Sequence, residues 1–374
     1  MPSVAIVHNR LDILGGGERL CLATIETFKE RGWKVILGTI DRTDWDRVLH
    51  LWGRIPKPDE EIVLSIPIKG FTIYKRLLAS FLIPRLREKA DVILDTYGDL
   101  RIDYGDITYI HFPTFALWDT SYTKYEHGFW RIYFAPFYLT QKLLIKRRIN
   151  TMVLTNSRFS ATVIRRFLGR NALVVHPPVN VEKYLLLDGK RENTVVTVGR
   201  FSHEKRYEFV VDVAEKMPDT QFYIIGAISG SRESKKYYEK IRRLIEEKDL
   251  KNIELVPNAP EKKMLKILGS AKVYLHAMVS EHFGLSVAEG MAAGLVPVIH
   301  KSGGAWTDIV EFGKYGFGYN DTDEAVRSIG KALREYPKLI PRIRRSVLRF
   351  SKEKYKERIF NLVKKYVEKT KGVN

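Results

Sequence analysis

Residues Ala271–His300 read AKVYLHAMVSEHFGLSVAEGMAAGLVPVIH. AKVYLHA and VPVIH are short apolar runs of strand length, and the segment between them has a helix-like pattern with a glycine at each end. A strand, a helix and a second strand in that order predict a parallel pair joined by a crossover. The same alternation extends upstream through TVVTV (194–198), QFYIIGA (221–227) and NIELVPN (252–258). A first series precedes it: SVAIVHN (3–9), KVILGTI (34–40), DVILDTY (91–97), ITYIHFP (107–113), TMVLTNS (151–157) and ALVVHPPV (172–179). Each run is bounded by polar or turn residues, and most are separated by helical stretches, the pattern of a parallel sheet covered on both faces. The polar stretch 180–193 divides the two series, and the tail from about residue 324 reads as helical and basic.

The expectation is therefore an α/β protein of two doubly wound, Rossmann-like domains. Residues 1–180 form the first, 181–345 the second, and 346–374 a helix crossing back to the first. A length of 374 residues accommodates two cores. The single cysteine, Cys21, excludes an internal disulfide and any cysteine-based zinc or iron–sulfur site, and fits a reducing, cytoplasmic setting. No signal peptide is read at the start, and no run of about 20 apolar residues predicts a membrane-spanning helix.

Ligands of doubly wound sheets sit beyond the carboxyl ends of the strands. Glu281 and Glu289, eight residues apart, lie in such a connection, Glu281 in the loop and Glu289 in the first turns of the helix. Gly284 allows close approach of the backbone, and the N–H groups of Leu285 and Ser286 can face a diphosphate at the helix start. His282 and Phe283 complete this donor-binding segment. Two glutamates alone are ordinarily solvated residues; the whole segment, with glycines at both ends, is the more specific signal. After TVVTV, Arg200 and Lys205 straddle a strand-to-helix turn, where two cations can hold a pyrophosphate leaving group. A pair of surface cations is the plain alternative.

In the first domain, Gly15, Gly16 and Gly17 read as a flexible loop ending at a helix that starts at Glu18, an anion nest or simply a tight turn. The pattern is neither G-x-G-x-x-G nor a P-loop, which disfavours NAD and ATP. His111 falls at the carboxyl end of a strand. Asp44 and Asp46 form D-x-D, read as a turn and helix cap rather than a metal site.

The GR…EK pattern after a strand, together with E-x7-E in EHFGLSVAE, resembles the retaining GT-B glycosyltransferases of family 4 along essentially the whole chain. The resemblance implies two Rossmann-like domains facing a central cleft, and a nucleotide-sugar donor used as substrate without metal or cofactor. It places Arg200 and Lys205 at the donor diphosphate, Glu289 at the ribose and Glu281 against the donor sugar. His111 then contacts the transferred sugar, Gly15–Gly17 lie near the donor phosphates, and the SGG at 302–304 lies near the donor. GGGERL, HFPT and EHFGLSVAEGMAAG together resemble the α-1,2-mannosyltransferases that extend dolichol-linked oligosaccharides from GDP-mannose. A UDP-sugar transferase, or an epimerase or phosphorylase of the same architecture, is the neighbouring alternative.

The net charge is +19. It implies an anionic partner or a lysine-rich solvated surface. Twelve of the thirty residues from Tyr109 to Tyr138 are aromatic, and Arg131–Val181 holds nine Lys/Arg and no Asp or Glu. Aromatics beside cations suit a headgroup region. Trp130, Arg131, Lys142, Lys146, Arg147 and Arg148 are accordingly read as facing a membrane, where a lipid-linked glycan acceptor is delivered. Pro136 argues against one straight helix there. A nucleic-acid-binding protein is the non-enzymatic alternative. No helix-turn-helix, zinc-finger or RNA-recognition pattern supports it, and the charge is spread through both halves.

Overall fold

The computed structural model describes residues 1–11, 15–53, 55–65, 78–97, 105–116, 128–145 and 151–372. The chain divides into two compact units, Met1–Pro178 with Lys352–Asn374, and Val179–Ser351.

The first unit is built on seven parallel strands: β1 (Ser3–Val7), β2 (Lys34–Thr39), β3 (Glu60–Val63), β4 (Val92–Asp95), β5 (Ile107–Ile110), β6 (Met152–Thr155) and β7 (Leu173–Val174). Their order is β3-β2-β1-β4-β5-β6-β7. Helices α1 (Gly16–Glu30), α2 (Trp45–Trp52), α3 (Ile83–Arg87), α4 (Gly128–Ile145) and α5 (Arg158–Leu168) alternate with the strands. Alternation of side chains along the strands sends Val4, Ile6, Leu94 and Tyr109 to one face, against α1 and the last helix, Lys352–Lys371. Ala5, Val7 and Ile93 pack against α3 on the other face, where Ile110 and Val153 meet Ile164 and Leu168 of α5. Caps fix the helix ends. Asp44 accepts from the Arg47 N–H to start α2, and Ser157 accepts from the Ser160 N–H to start α5. Gly169, at φ 61°, ends α5.

The last helix is held to α1 by Tyr355, whose hydroxyl lies 2.6 Å from Thr24 Oγ1, and by Lys356. The Lys356 side chain is only 4% exposed, and its ammonium contacts Glu26 (3.6 Å), Glu30 (2.5 Å) and Glu353 (3.3 Å).

The second unit opens with α6 (Val181–Leu185) and has six parallel strands, ordered β10-β9-β8-β11-β12-β13. They are β8 (Thr194–Val198), β9 (Gln221–Gly226), β10 (Ile253–Pro257), β11 (Val273–His276), β12 (Val296–His300) and β13 (Phe317–Tyr319). Helices α7 (Tyr207–Glu215), α8 (Arg232–Glu247), α9 (Glu261–Ser270), α10 (Leu285–Ala292) and α11 (Thr322–Val347) share one apolar core with them. Val179 pairs with Ser351, its N–H donating to the Phe350 carbonyl at 2.9 Å.

Two expectations are corrected, at the triple glycine and at ALVVHPPV. Gly16 and Gly17 are already helical in α1, with Gly15 as the N-cap, so the triple glycine is a helix start rather than a loop. Helix α4 contains Pro136, whose ring removes one N–H donor from its ladder. ALVVHPPV contributes only the two-residue β7, because Pro177 and Pro178 lack the N–H that further pairing requires.

Candidate active site in each unit

In both sheets the strand order reverses at one point, between β1 and β4 in the first and between β8 and β11 in the second. Connections leave in opposite directions there, opening a crevice at the carboxyl ends.

In the second unit, three strand exits meet at that point. The first follows β8, where Gly199–Ser202 leads to a 3-10 turn, His203–Lys205, before α7. The second follows β11 and carries Glu281. The third follows β12 and carries Ser302–Gly304. Lys205 reaches across the switch point. Its Nζ lies 3.1 Å from Glu281 Oε2 and 3.3 Å from Met278 Sδ. The same Glu281 oxygen lies 3.2 Å from Nε2 of His276, the buried last residue of β11. Oε1 of Glu281 accepts from the His282 N–H at 3.1 Å.

Burial alone would raise the Glu281 carboxyl, but Lys205 and His276 outweigh it and hold the group well below the usual carboxylate range. His276 is lowered, chiefly by burial, against the pull of Glu281. His282 is lowered to about 4 by burial, which Glu281 only partly opposes. Two histidines, both shifted downward, thus flank the Lys205–Glu281 pair.

The backbone around Glu281 is pinned by its neighbours. The Gly304 N–H donates to the Glu281 carbonyl at 2.6 Å, and the Ser280 N–H donates to Ser302 Oγ at 2.8 Å. Ser280 holds a left-handed φ of 54°. Gly303 has φ 74°, and a Cβ there would stand 2.3 Å from the Glu281 carbonyl oxygen, so only glycine fits. Gly284, at φ 105°, starts α10. The first bonds to its carbonyl come from Val287 and Ala288, so the N–H groups of Leu285 and Ser286 precede the helical ladder. Glu289 lies one turn further along and is partly exposed.

Of the residues expected here, Lys205, Glu281, His282 and the start of α10 come together. Two differ from expectation. Arg200 does not join Lys205: its side chain is 71% exposed and lies 3.8 Å from Glu204. The Phe283 side chain belongs to the core, edge-on to Phe350 at 5.3 Å between ring centres.

In the first unit, the switch point gathers His8 after β1, Thr96 and Tyr97 after β4, and His111 after β5. His8 is fully buried, with Nδ1 3.0 Å from Thr96 Oγ1 and Nε2 3.8 Å from Glu18 Oε1. Burial would lower His8, yet Cys21 and Glu18 outweigh it and push the ring up to about 9. Burial would likewise raise Glu18, and His8 more than offsets it. His111 Nε2 lies 3.1 Å from the Thr96 carbonyl, and its ring is 5.9 Å from Tyr97 and 4.9 Å from Tyr109. A Cβ at Gly17 would meet the Tyr97 ring at 3.0 Å and His111 Nε2 at 3.5 Å, so the helix start, Tyr97 and His111 form one tight group.

His8, Glu18 and His276 were not among the expected site residues. His8 and His276 stand at strand ends as His111 does, and the rule that found His111 reaches them too. Among the described residues, no group of three or more His, Cys, Asp or Glu side chains converges as a metal site requires.

Residues 186–346 match the family model for glycosyl transferases group 1. The matched stretch falls within the second unit. It includes the Lys205–Glu281–His276 cluster and all of α10. The chain is similar to proteins named GDP-Man:Man(3)GlcNAc(2)-PP-Dol alpha-1,2-mannosyltransferase. That of Dictyostelium discoideum is 26% identical over 59% of this chain and 48% of its own. That of Neurospora crassa is 31% identical over 52% and 38%, and the Homo sapiens protein 27% over 54% and 47%. The chain thus spans about half the length of these relatives or less.

Among solved structures, a sucrose-phosphate synthase from Thermosynechococcus elongatus superposes with a TM-score of 0.73 at 15% identity, covering 98% of this chain and 99% of the other. A glycosyltransferase from Rickettsia africae gives 0.67 at 15%, covering 98% and 99%. With two parallel-sheet α/β units and these neighbours, the chain has a GT-B fold.

Proposed function

We propose that this chain is a glycosyltransferase that moves mannose from GDP-mannose onto a lipid-linked glycan at the cytoplasmic face of a membrane, with retention of anomeric configuration and without a metal ion. The observation that carries the reading is the Lys205–Glu281–His276 cluster at the switch point of the second unit, beside the start of α10. The choice of mannose and of a lipid-linked acceptor is supported by the names of the relatives.

Without donor, Lys205 is neutralised by Glu281. A diphosphate bound at the start of α10 competes for that ammonium, and Glu281 is released to accept hydrogen bonds from sugar hydroxyls. In the reaction the C1–O bond to the diphosphate breaks and the acceptor hydroxyl oxygen bonds to C1 on the same face. The acceptor proton passes to a diphosphate oxygen. Negative charge grows on the leaving group, where Lys205 and the helix N–H groups stabilise it more than they stabilise the ground state. Arg200, exposed near Glu204, swings in as the second cation, and Glu289 binds the ribose.

Donor binding is measured by thermal shift with GDP-mannose, UDP-sugars and ADP-sugars. Donor at a hundredfold its Kd stabilises the folded form by about 2.7 kcal/mol. The expected result is a shift with GDP-mannose that is lost in Lys205→Ala and Glu289→Ala. A shift with a UDP-sugar alone removes the mannosyl reading, and a GDP-mannose shift that survives both substitutions removes the site.

A further inference from the structure

Helix α4 is apolar on two opposite faces. Phe134 and Phe137 are fully buried, their rings 5.5 Å apart, and Tyr138 packs beside Ile164 and Leu168 of α5. On the other side, Ile132, Leu139 and Leu143 are 75%, 60% and 69% exposed, and Pro136 is exposed with them. At 100° per residue these four positions fall within about 60° of one another, a single stripe three turns long. A continuous apolar stripe on a solvent face marks an interaction site. No helix among the described residues is long and apolar enough to cross a membrane, so α4 is not a span.

Charge selects the occupant. The stretch Arg131–Val181, which starts in α4 and runs through α5, has nine Lys/Arg and no acid, and Arg158, Arg165 and Arg166 on α5 are exposed. A second copy would set two chains of net charge +19 face to face. An anionic bilayer instead offers hydrocarbon to the stripe and opposite charge to its surroundings.

We infer that the Ile132–Pro136–Leu139–Leu143 stripe of α4 lies in the headgroup–acyl boundary of an anionic lipid bilayer and docks the first unit there as a peripheral membrane protein. Of the residues expected to face a membrane, Trp130, Arg131 and Lys142 fall on α4 with side chains outside the description, and Lys146, Arg147 and Arg148 lie outside the described residues. The docking stripe therefore consists of aliphatic positions that composition alone did not single out. It rests on the membrane setting proposed above and not on which donor the chain uses.

The test is sedimentation of the full chain with vesicles of phosphatidylcholine containing phosphatidylglycerol, and with phosphatidylcholine alone. The wild-type chain is expected to pellet with the anionic vesicles. Leu139→Glu with Leu143→Glu should weaken partitioning about tenfold or more, since two exposed leucines lose their buried area. Leu139→Gln with Leu143→Gln, which adds no charge, should also weaken it, separating apolar insertion from simple repulsion. Unchanged unfolding transitions show that both variants are folded. The inference is overturned if the wild-type chain stays in the supernatant with anionic vesicles, or if the glutamine variant pellets like wild type. It is also overturned if, without vesicles, the wild-type chain is a dimer in sedimentation velocity and either variant a monomer, which would make a second copy the occupant.

Discussion

Glu281 shows how one side chain can be held ready by its neighbours. A partly buried carboxylate is costly unless paired, and here Lys205 and His276 share one of its oxygens. His282 supplies a measurable consequence. Because burial lowers its ring from 6.5 to about 4, the unfolded chain takes up a proton first as pH falls, and the folded form loses stability across that window. The sign is fixed: stability is full above about pH 6.5 and declines toward pH 4, by about 2 kcal/mol from this residue. Urea titrations at pH 7 and pH 4.5 should show the decline in wild type and a smaller one in His282→Gln. Equal declines would mean that other groups carry the acid sensitivity. The E-x7-E spacing pointed to Glu281, but its pairing with a histidine five residues earlier was not legible. That contact depends on where β11 ends and on the left-handed turn at Ser280, neither of which periodicity encodes.

At the scale of elements, most strands were legible because their β-branched runs stand out between polar boundaries. β3 was not: it is EEIV at the sheet edge, and its acids have local partners, with Glu61 accepting from the Thr43 N–H at 2.9 Å. β13, three residues around Gly318, is too short for a periodic signal. The start of α1 was placed two residues late because glycine is a poor helix former, and only the close approach of Tyr97 and His111 explains why Gly17 stands there. The loop after β12 gives the sharpest prediction. Gly303→Ala sets a methyl against the Glu281 backbone at a positive φ, so it should destabilise the second unit by about 2–4 kcal/mol. Calorimetry would register this as a lowered Tm; a change under about 0.5 kcal/mol would show that the β11 and β12 exits are not tightly coupled.

At the scale of the molecule, the first unit is made of two pieces of chain, and the last helix fills one face of its sheet. Lys356 balances three carboxylates in that seam. Lys356→Met leaves them facing one another, and because Glu30 and Glu353 are partly solvated the cost should be about 1–3 kcal/mol. Chemical denaturation would measure it, and no loss would mean that the packing of Tyr355, Ile359 and Val363 alone holds the helix. The discontinuity also has a consequence in time. A ribosome delivers Val179–Ser351 as one uninterrupted stretch that can fold as it emerges, whereas the first 178 residues must wait for Lys352–Lys371. Until then Leu22, Phe28 and the inner face of β1 and β4 lack their cover. The half made first is therefore the half finished last, and that uncovered face is the one most exposed to aggregation, or to chaperone capture, while synthesis continues.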